Sequence, residues 1–293
     1  MTFPIRLLAA DIDGTLMNSE FKIAQADLDA LRYAHSCGVE VVLVTGRRHT
    51  FALPTALQLG FDLWLISSNG AVTRSLHGEH FHSDLLPVET CRDLCREMRE
   101  FRGNTVITFD KETKGALVLE RMDELTLSIQ RWLEKNIQYI DFVVPLENAL
   151  VADPIQAMFC GPIERMRAAL LRLEECGIRD RVAVLRTEYP HRDLSIVDVL
   201  NPKCSKGHAL ARWAQHRGIP RDQVMAIGDN YNDVEMLAFA GHPFIMGNAS
   251  EDLKSRGWTL TRSSDENGVA AAIEKVLGKA EPVRAQAVSI ERL

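Results

Sequence analysis

The sequence predicts an α/β protein in which a doubly wound parallel sheet is interrupted by an inserted α+β domain. Short apolar runs alternate with helical stretches in the first 70 residues and again after residue 200, the pattern of parallel strands joined by helices. Between these parts, helices and strands follow one another less regularly. The chain of 293 residues, 46% hydrophobic and 25% charged, has ordinary globular composition and is long enough for two domains.

The first strand is predicted from the apolar run at 7–10, which ends in Asp11-Ile12-Asp13-Gly14. A short apolar run closed by glycine is typical of a buried strand in a parallel sheet. Two carboxylates this close repel each other when both are ionised, and a divalent cation would relieve that repulsion. The glycine turn would also let backbone amides face an anion. An acidic turn after a strand is the simpler interpretation of this segment alone.

The rest of the first part continues the alternation. Glycines after each predicted helix are typical helix ends. The predicted elements are a helix at 23–37, a strand at 39–44 ending in Thr45-Gly46-Arg47, a helix at 51–59, and a strand at 63–67 ending in Ser68-Asn69-Gly70.

The middle segment favours an antiparallel α+β domain inserted into the first. A polar hairpin around Gly78 precedes it, with His77, His80 and His82 on alternating positions. The predicted helices are 88–101, 124–135 and 163–176, and the predicted strands are 105–109, 116–120, 156–159, 182–186 and 194–199.

The parallel pattern then resumes. Its predicted elements are helices at 206–215 and 268–277, a helix opened by residues 230–233, and strands at 223–228, 242–246 and 258–261. We therefore expect a discontinuous core at 1–82 and 200–277, an inserted domain at 83–199, and a weakly ordered C-terminal tail at 278–293.

Composition excludes several classes of protein. The net charge of -6, with no basic run or stripe, argues against a nucleic-acid or acidic-membrane partner. No apolar stretch approaches the roughly 20 residues that span a bilayer, and the acidic pair interrupts any signal-type segment.

The six cysteines form no C-x-x-C pair. Cys91 and Cys95 could form half a metal site, but reduced helix residues in a cytoplasmic protein are the expected interpretation.

Polar residues follow each predicted core strand. The residues at these strand ends are Asp11, Asp13, Thr45, Asn69 and Asp229. The carboxyl ends of parallel strands lie at one edge of the sheet, so these side chains are expected to come together there. Lys206 opens a helix that follows the insertion. Carboxylates, a hydroxyl and an ammonium together suit phosphoryl transfer, in which a divalent cation offsets the repulsion between a carboxylate nucleophile and a phosphate dianion.

These motifs resemble the haloacid dehalogenase superfamily of phosphotransferases, and within it the Cof-type hydrolases with a large α+β (type IIB) cap. The matching segments are 11–16 (DIDGTL), 44–47 (VTGR), 205–207 (SKG) and 228–233 (GDNYND), in the family's order. The resemblance covers about residues 5–277 and implies a Rossmann-like doubly wound core with the insertion as the cap.

The resemblance also implies a role for each matching residue. Asp11 would be the nucleophile that forms an aspartyl-phosphate, and Asp13 the general acid/base. The residues implied for Mg2+ are Asp11, Asp13 (through its carbonyl) and Asp229, with Asp233 in support. Those implied for the phosphoryl group are Ile12, Thr45, Gly46, Lys206 and Asn232. Arg47 and Asn69 would lie near the substrate. Helix N-capping is an alternative for Asn232 and Asp233, and an exposed loop is an alternative for Arg47.

The function expected from these motifs is a Mg2+-dependent phosphatase acting on a small phosphomonoester, such as a sugar phosphate or a pyridoxal-phosphate-like compound. A phosphomutase of the same superfamily is one alternative, and a catalytically idle binding protein on this fold is another. Cap residues would select the substrate, with the polar cluster 188–193 as one source and a solvated turn as its other interpretation. The protein is expected to be a monomer or a homodimer.

Overall fold

The computed structural model describes residues 4–278, so the predicted tail lies, except for Gly278, outside the described residues. The strands of the described part are β1 (Leu7–Ala10), β2 (Glu40–Val44), β3 (Trp64–Ser67), β4 (Val72–Ser75), β5 (His80–Ser83), β6 (Thr105–Thr108), β7 (Leu117–Leu119), β8 (Ile140–Phe142), β9 (Gln156–Gly161), β10 (Ala183–Tyr189), β11 (Leu194–Leu200), β12 (Val224–Gly228), β13 (His242–Ile245) and β14 (Thr259–Leu260). The helices are α1 (Gln25–Ser36), α2 (His49–Ala56), α3 (Val88–Glu97), α4 (Leu127–Lys135), α5 (Ile163–Glu175), α6 (Lys206–His216), α7 (Val234–Phe239), α8 (Glu251–Lys254) and α9 (Gly268–Leu277).

The core is an eight-stranded sheet in the order β14-β13-β12-β1-β2-β3-β4-β5. The strands from β14 to β3 are parallel. Helices cover both faces: α1 and α9 pack against Leu8 and Ala10, while α6 and α7 pack against Leu7 and Ala9. A strand buried on both faces needs an unbroken apolar run, and β1 has one. The predicted doubly wound α/β class is confirmed.

The far edge of this sheet is antiparallel. β4 pairs antiparallel with both β3 and β5, so the chain turns back twice before it leaves the core sheet. The β4–β5 hairpin turns at Gly78, whose φ of 86° favours glycine. The predicted histidine hairpin is therefore confirmed, and His77 and His82 pair with the carboxylates of Asp62 and Asp84.

The second sheet has the order β10-β11-β9-β6-β7-β8. Helices α3 and α5 pack on one face of it, and α4 packs on part of the other. Its neighbours are antiparallel except for β7 and β8, which are parallel. The expected antiparallel arrangement therefore holds for the other strand pairs of this sheet and is wrong for this one. The reason is that α4 connects the two strands, and a helical crossover returns the chain in the same direction.

The six-stranded sheet comes from the segment predicted to be the insertion, and the core sheet from the parts on either side of it. The domain boundaries at residues 83 and 199 stay predictions. β8 was not predicted, because a strand of three residues leaves too short a pattern to recognise. In the described part of the chain, no helix is both long enough and apolar enough to cross a membrane.

Candidate active site

The parallel register of the core sheet brings the polar strand ends together. β1 lies between β2 and β12, so Asp11 and Asp13 follow the central strand while Thr45 and Asp229 follow its two neighbours. All four residues lie beyond the carboxyl ends of their strands, on the edge where ligands bind in open parallel sheets. The structure therefore places these predicted residues at one edge.

Lys206 is the central cation of the cluster. It is the first residue of α6, whose start is fixed by the Ser205 hydroxyl, which accepts a hydrogen bond from the His208 amide. Its Nζ donates to Oδ1 of Asp11 at 2.7 Å and to Oδ1 of Asp233 at 2.6 Å. Only 1% of the Lys206 side chain is exposed. Burial opposes the charge on Lys206, but the two carboxylates outweigh it and raise the lysine pKa.

The segment after β12 supplies two further carboxylates. Oδ1 of Asp229 accepts a hydrogen bond from the Thr15 hydroxyl at 2.9 Å. Oδ2 of Asp233 accepts from the backbone amides of Asp229 and Asn230, at 2.9 and 3.0 Å. Asp233 thus completes a capping box with Asn230 as the N-cap, and it also binds Lys206. Asp233 therefore both caps the helix and belongs to the site, as the two interpretations from the sequence proposed. The Asn232 side chain does not act as a helix cap.

Three of the carboxylates form a group that suits a hard cation. Oxygen atoms of Asp11, Asp229 and Asp233 lie within 4.8 Å of one another, and all three residues are buried. Burial raises the pKa of Asp11 to about 7 and that of Asp229 well above its usual value, although Lys206 lowers both. Three carboxylates against one ammonium leave an excess of negative charge, and all the donors are oxygens. Mg2+ prefers such a donor set, so the residues fit the predicted ion.

Asp13 lies outside that group and pairs with Arg47 instead. The guanidinium donates from Nε to Oδ2 at 2.7 Å and from Nη2 to Oδ1 at 2.5 Å, a two-pronged ion pair. The Arg47 amide also donates to the Thr45 hydroxyl at 3.0 Å. Arg47 therefore belongs to the site through Asp13, and it is not part of an exposed loop.

Two glycines allow the close approach of these loops. Gly14 has a φ of 83°, and a Cβ there would lie 2.4 Å from Oδ2 of Asp229. A Cβ at Gly46 would lie 3.2 Å from Oδ1 of Asn69, tighter than an ordinary contact. Their lack of a side chain lets these two loops pack closely against the side chains of Asp229 and Asn69.

Asn232 and Asn69 contact each other and a third residue that the sequence analysis did not select. Nδ2 of Asn232 donates to Oδ1 of Asn69 at 2.9 Å. Nδ2 of Asn69 donates to Oδ2 of Asp198 at 2.8 Å. Asp198 lies on β11 of the second sheet. The one signal in the sequence was a lone carboxylate within the apolar run of that strand.

The polar cluster at 188–193 contacts the core. The amide of Glu188 donates to Oδ1 of Asn230 at 3.2 Å, and Nδ2 of Asn230 donates back to the Glu188 carbonyl at 3.0 Å. Arg192 lies over the ring of Phe21, 4.8 Å from its centroid. Burial, followed by the charges of the four site aspartates, raises the pKa of Tyr189 well above its usual value. These contacts favour the cap interpretation of this segment over a solvated turn.

Comparison with known proteins agrees with this geometry. The family model for haloacid dehalogenase-like hydrolases matches residues 8–273, nearly the whole described chain. The chain belongs to the haloacid dehalogenase-like hydrolases. It is similar to Phosphatase YwpJ of Bacillus subtilis (strain 168), with 30% identity over 93% of this chain and 100% of the relative. It is also similar to the HMP-PP phosphatase of Shigella boydii serotype 4 (strain Sb227), with 28% identity over 85% of this chain and 91% of that protein.

Solved structures of this family share the fold. A haloacid dehalogenase-like hydrolase from B. subtilis superposes with a TM-score of 0.76 at 27% identity, covering 93% of this chain and 100% of that one. The subclass IIB sugar phosphatase BT4131 superposes with a TM-score of 0.72 at 22% identity, covering 92% and 98%, and at that identity it shows the fold alone. The predicted membership of the haloacid dehalogenase superfamily is confirmed, the fold matches that of a type IIB member, and the chain is an enzyme of the phosphatase class.

Proposed function

We propose that this haloacid dehalogenase-like phosphatase is Mg2+-dependent and hydrolyses small phosphomonoesters through an aspartyl-phosphate on Asp11. The observation that carries the proposal is the buried ion cluster, in which a single lysine binds Asp11 and Asp233 beside a third carboxylate. A structural ion pair needs only one carboxylate for one lysine. An excess of buried carboxylates is costly unless a cation is bound, so the arrangement supports a site for a metal and an anionic substrate.

The chemistry proceeds in two steps. In the first, a carboxylate oxygen of Asp11 attacks phosphorus, the P–O bond to the leaving group breaks, and Asp13 donates its proton to the departing alkoxide. In the second, Asp13 removes a proton from water, which attacks phosphorus, releases inorganic phosphate and regenerates the Asp11 carboxylate. Lys206 binds Oδ1 of Asp11, and among the described residues no donor binds Oδ2, the oxygen we assign to the attack.

The phosphoryl oxygens need donors and positive charge around them. The residues that would hold Mg2+ are Asp11, Asp229 and Asp13 through its carbonyl, with Asp233 in support. A cation there would offset the repulsion between the nucleophile and the phosphate dianion. We assign the donors of this chain to the phosphoryl group as follows: the Thr45 hydroxyl, the Lys206 ammonium, the Asn232 amide, and the backbone amides near Ile12 and Gly46. Fixed donors stabilise the charge that spreads over these oxygens in the transition state.

The surface of the second sheet above these residues supports an aromatic leaving group over a sugar. Asp198 on β11 reaches Asn69 of the core, so this face of the sheet is directed at the site. Side chains alternate along a strand, and therefore Ile196, two residues away, and Met158, opposite Asp198 on β9, share that face. Both are half-buried apolar side chains, and the ring of Tyr189 lies nearby. A sugar would bring hydroxyl groups against this apolar surface, whereas a planar ring would pack on it.

The first test is phosphate release from p-nitrophenyl phosphate with Mg2+ and with EDTA. We expect activity only with Mg2+, and a loss of about a thousandfold or more in Asp11→Asn, because the amide is nearly isosteric but cannot attack phosphorus. The exposed Asp29→Asn variant is the control and keeps wild-type activity. Activity that survives in Asp11→Asn would overturn the assignment of the nucleophile.

A substrate panel tests the second part of the proposal. We expect kcat/KM for pyridoxal phosphate to exceed that for glucose 6-phosphate by tenfold or more, since apolar packing contributes at least that much discrimination. A preference for the sugar phosphate would overturn the inference from the apolar face. Transfer of the phosphoryl group back to substrate, with no free phosphate, would indicate a phosphomutase. No turnover of any ester would indicate a binding protein.

A further inference from the structure

A chain of four polar side chains runs from the second sheet to the proposed phosphate site. Nε2 of Gln156 donates to Oδ1 of Asp198 at 2.8 Å, and Nδ2 of Asn69 donates to Oδ2 of the same carboxylate at 2.8 Å. The side-chain oxygen of Asn69, Oδ1, then accepts a hydrogen bond from Nδ2 of Asn232 at 2.9 Å. Gln156 and Asp198 lie on the second sheet, whereas the two asparagines follow core strands. The chain therefore crosses from one sheet to the other.

Asp198 determines the direction of every hydrogen bond in this chain. It is 4% exposed, and the proposed chemistry does not use it. An ionised carboxylate only accepts hydrogen bonds, so Asn69 must present its NH2 group to Asp198. The carbonyl oxygen of Asn69 then faces Asn232, which must in turn present its own NH2 group. The orientation of Asn232 is thus fixed from two residues away.

The orientation of Asn232 matters because its two ends have opposite effects on an anion. One N–H of the Asn232 amide is used by Asn69, and among the described residues the second has no acceptor, so it is available as a donor. With the amide reversed, its carbonyl oxygen would take the place of that donor and would repel a phosphate dianion. A side-chain amide has no intrinsic preference between these orientations, so a neighbour has to impose one.

Asn69 cannot move to accommodate a different partner. Its φ is 55°, and the following Gly70 has a φ of 99°, so the turn is a tight left-handed one. A Cβ at Gly70 would lie 2.3 Å from the carbonyl oxygen of Ser205, which places this turn directly against the start of α6. The backbone carbonyl of Asn69 also accepts a hydrogen bond from the Cys204 thiol at 3.5 Å. Asn69 is therefore a rigid intermediate between Asp198 and Asn232.

We propose that Asp198 is a positioning residue that orients Asn69 and, through it, directs a donor N–H of Asn232 at the substrate phosphate. The inference rests on the proposed function, because phosphate is the group that Asn232 would contact. Burial raises the pKa of Asp198 to about 7, against the lowering effects of the Asn69 hydrogen bond and the Lys206 charge. Burial, with a further contribution from the charge of Asp198, raises the pKa of the Cys160 and Cys204 thiols. The test is therefore made at pH 8, on the side of the Asp198 pKa that favours the carboxylate form.

The test measures phosphate binding in Asp198→Asn. An amide at this position can donate as well as accept, so it no longer fixes the orientation of Asn69. We expect KM for p-nitrophenyl phosphate and the inhibition constant of inorganic phosphate to rise about tenfold, the effect of one hydrogen bond to a charged group. We expect kcat to change less than threefold, because this hydrogen bond is present in both the ground state and the transition state.

A matched control separates this role from general contact between the two sheets. Arg74 on β4 donates to both oxygens of Asp110, at 3.0 and 2.6 Å, and so also links the core to the second sheet. Asp110→Asn makes the same chemical change in such a link, with no route to Asn232. We expect both constants to stay within twofold of wild type in this variant.

A double-mutant cycle with Asn232→Ala decides the proposal. If Asp198 acts through Asn232, then Asp198→Asn adds less than twofold to either constant once Asn232 is alanine. Additive effects, or unchanged constants in the single Asp198→Asn variant, would overturn the proposal. If Asp198→Asn does not fold, Asn69→Ala breaks the same chain without changing the charge, and its effect must likewise disappear in the Asn232→Ala background. A wild-type protein that neither hydrolyses the ester nor binds inorganic phosphate would instead refute the proposed function.

Discussion

Lys206→Met is the most informative test of the ion cluster. The substitution keeps an unbranched side chain of similar length but removes the ammonium, which lies 2.7 Å from Asp11 and 2.6 Å from Asp233. Removing one partner of a buried ion pair costs about 3–5 kcal/mol, because the other charge stays buried without compensation. Two carboxylates lose their partner here. However, the pKa of Asp11 is about 7, so one of them takes up a proton near neutral pH at small cost.

We therefore expect the free energy of unfolding to fall by about 4 kcal/mol at pH 7.5 in EDTA. The measurement is urea unfolding followed by tryptophan fluorescence, for which the buried Trp213 is a suitable reporter. The exposed Lys203→Met, three residues away, is the control and should change stability by less than about 0.5 kcal/mol. Phosphatase activity should fall at least about a hundredfold in Lys206→Met, as for loss of one transition-state donor.

A second variant shows whether the loss comes from uncompensated charge. Adding Asp233→Asn to Lys206→Met removes one of the two carboxylates left without a partner. The double variant should be destabilised by clearly less than the sum of the two single variants. A loss of under about 1 kcal/mol in Lys206→Met, or strict additivity in the double variant, would refute the view that the lysine neutralises a buried carboxylate cluster.

Two other predictions concern Asp27, which is buried in the core, and Gly14, which lies beside Asp229. Burial raises the pKa of Asp27 from 3.8 to about 6. Protonated Asp27 therefore contributes its full stabilisation of the fold below pH 3.8. This contribution, about 3 kcal/mol in total, is lost as the pH rises through 6. Measured by urea unfolding, the stability of Asp27→Asn relative to wild type should therefore rise by up to that amount between pH 4 and pH 7. A difference in unfolding free energy that does not change with pH would contradict this. Gly14→Ala should reduce activity about a hundredfold, because its Cβ would displace Oδ2 of Asp229. Gly218→Ala, which also has a positive φ but meets no atom within 4 Å, should keep full activity.

The core sheet and the place of the site were predictable from sequence because both depend on local patterns. Unbroken apolar runs between helices define parallel strands, and parallel strands necessarily collect their carboxyl ends at one edge. Polar residues directly after those strands, such as Asp11 and Asp229, must then lie close together. The matching motifs of the family added an expected role for each residue.

The second sheet was less predictable. Its strand positions follow from local patterns, but the partner of each strand does not. The parallel β7–β8 pair depends on how α4 crosses the sheet, and a three-residue strand such as β8 has little pattern of its own. Long-range pairing is decided by packing, which the order of residues along the chain does not display.

By itself, the sequence determined which chemical groups this protein brings to the edge of its sheet: carboxylates, a lysine, a threonine and two asparagines. Only the tertiary structure decided how they pair. Lys206 binds Asp11 from 195 positions away along the chain, and Asp198 reaches Asn69 across 129. Hydrogen bonds form only within about 3 Å and in the correct direction. Such contacts between distant segments depend on how helices and sheets pack, and no local pattern in the chain records that packing.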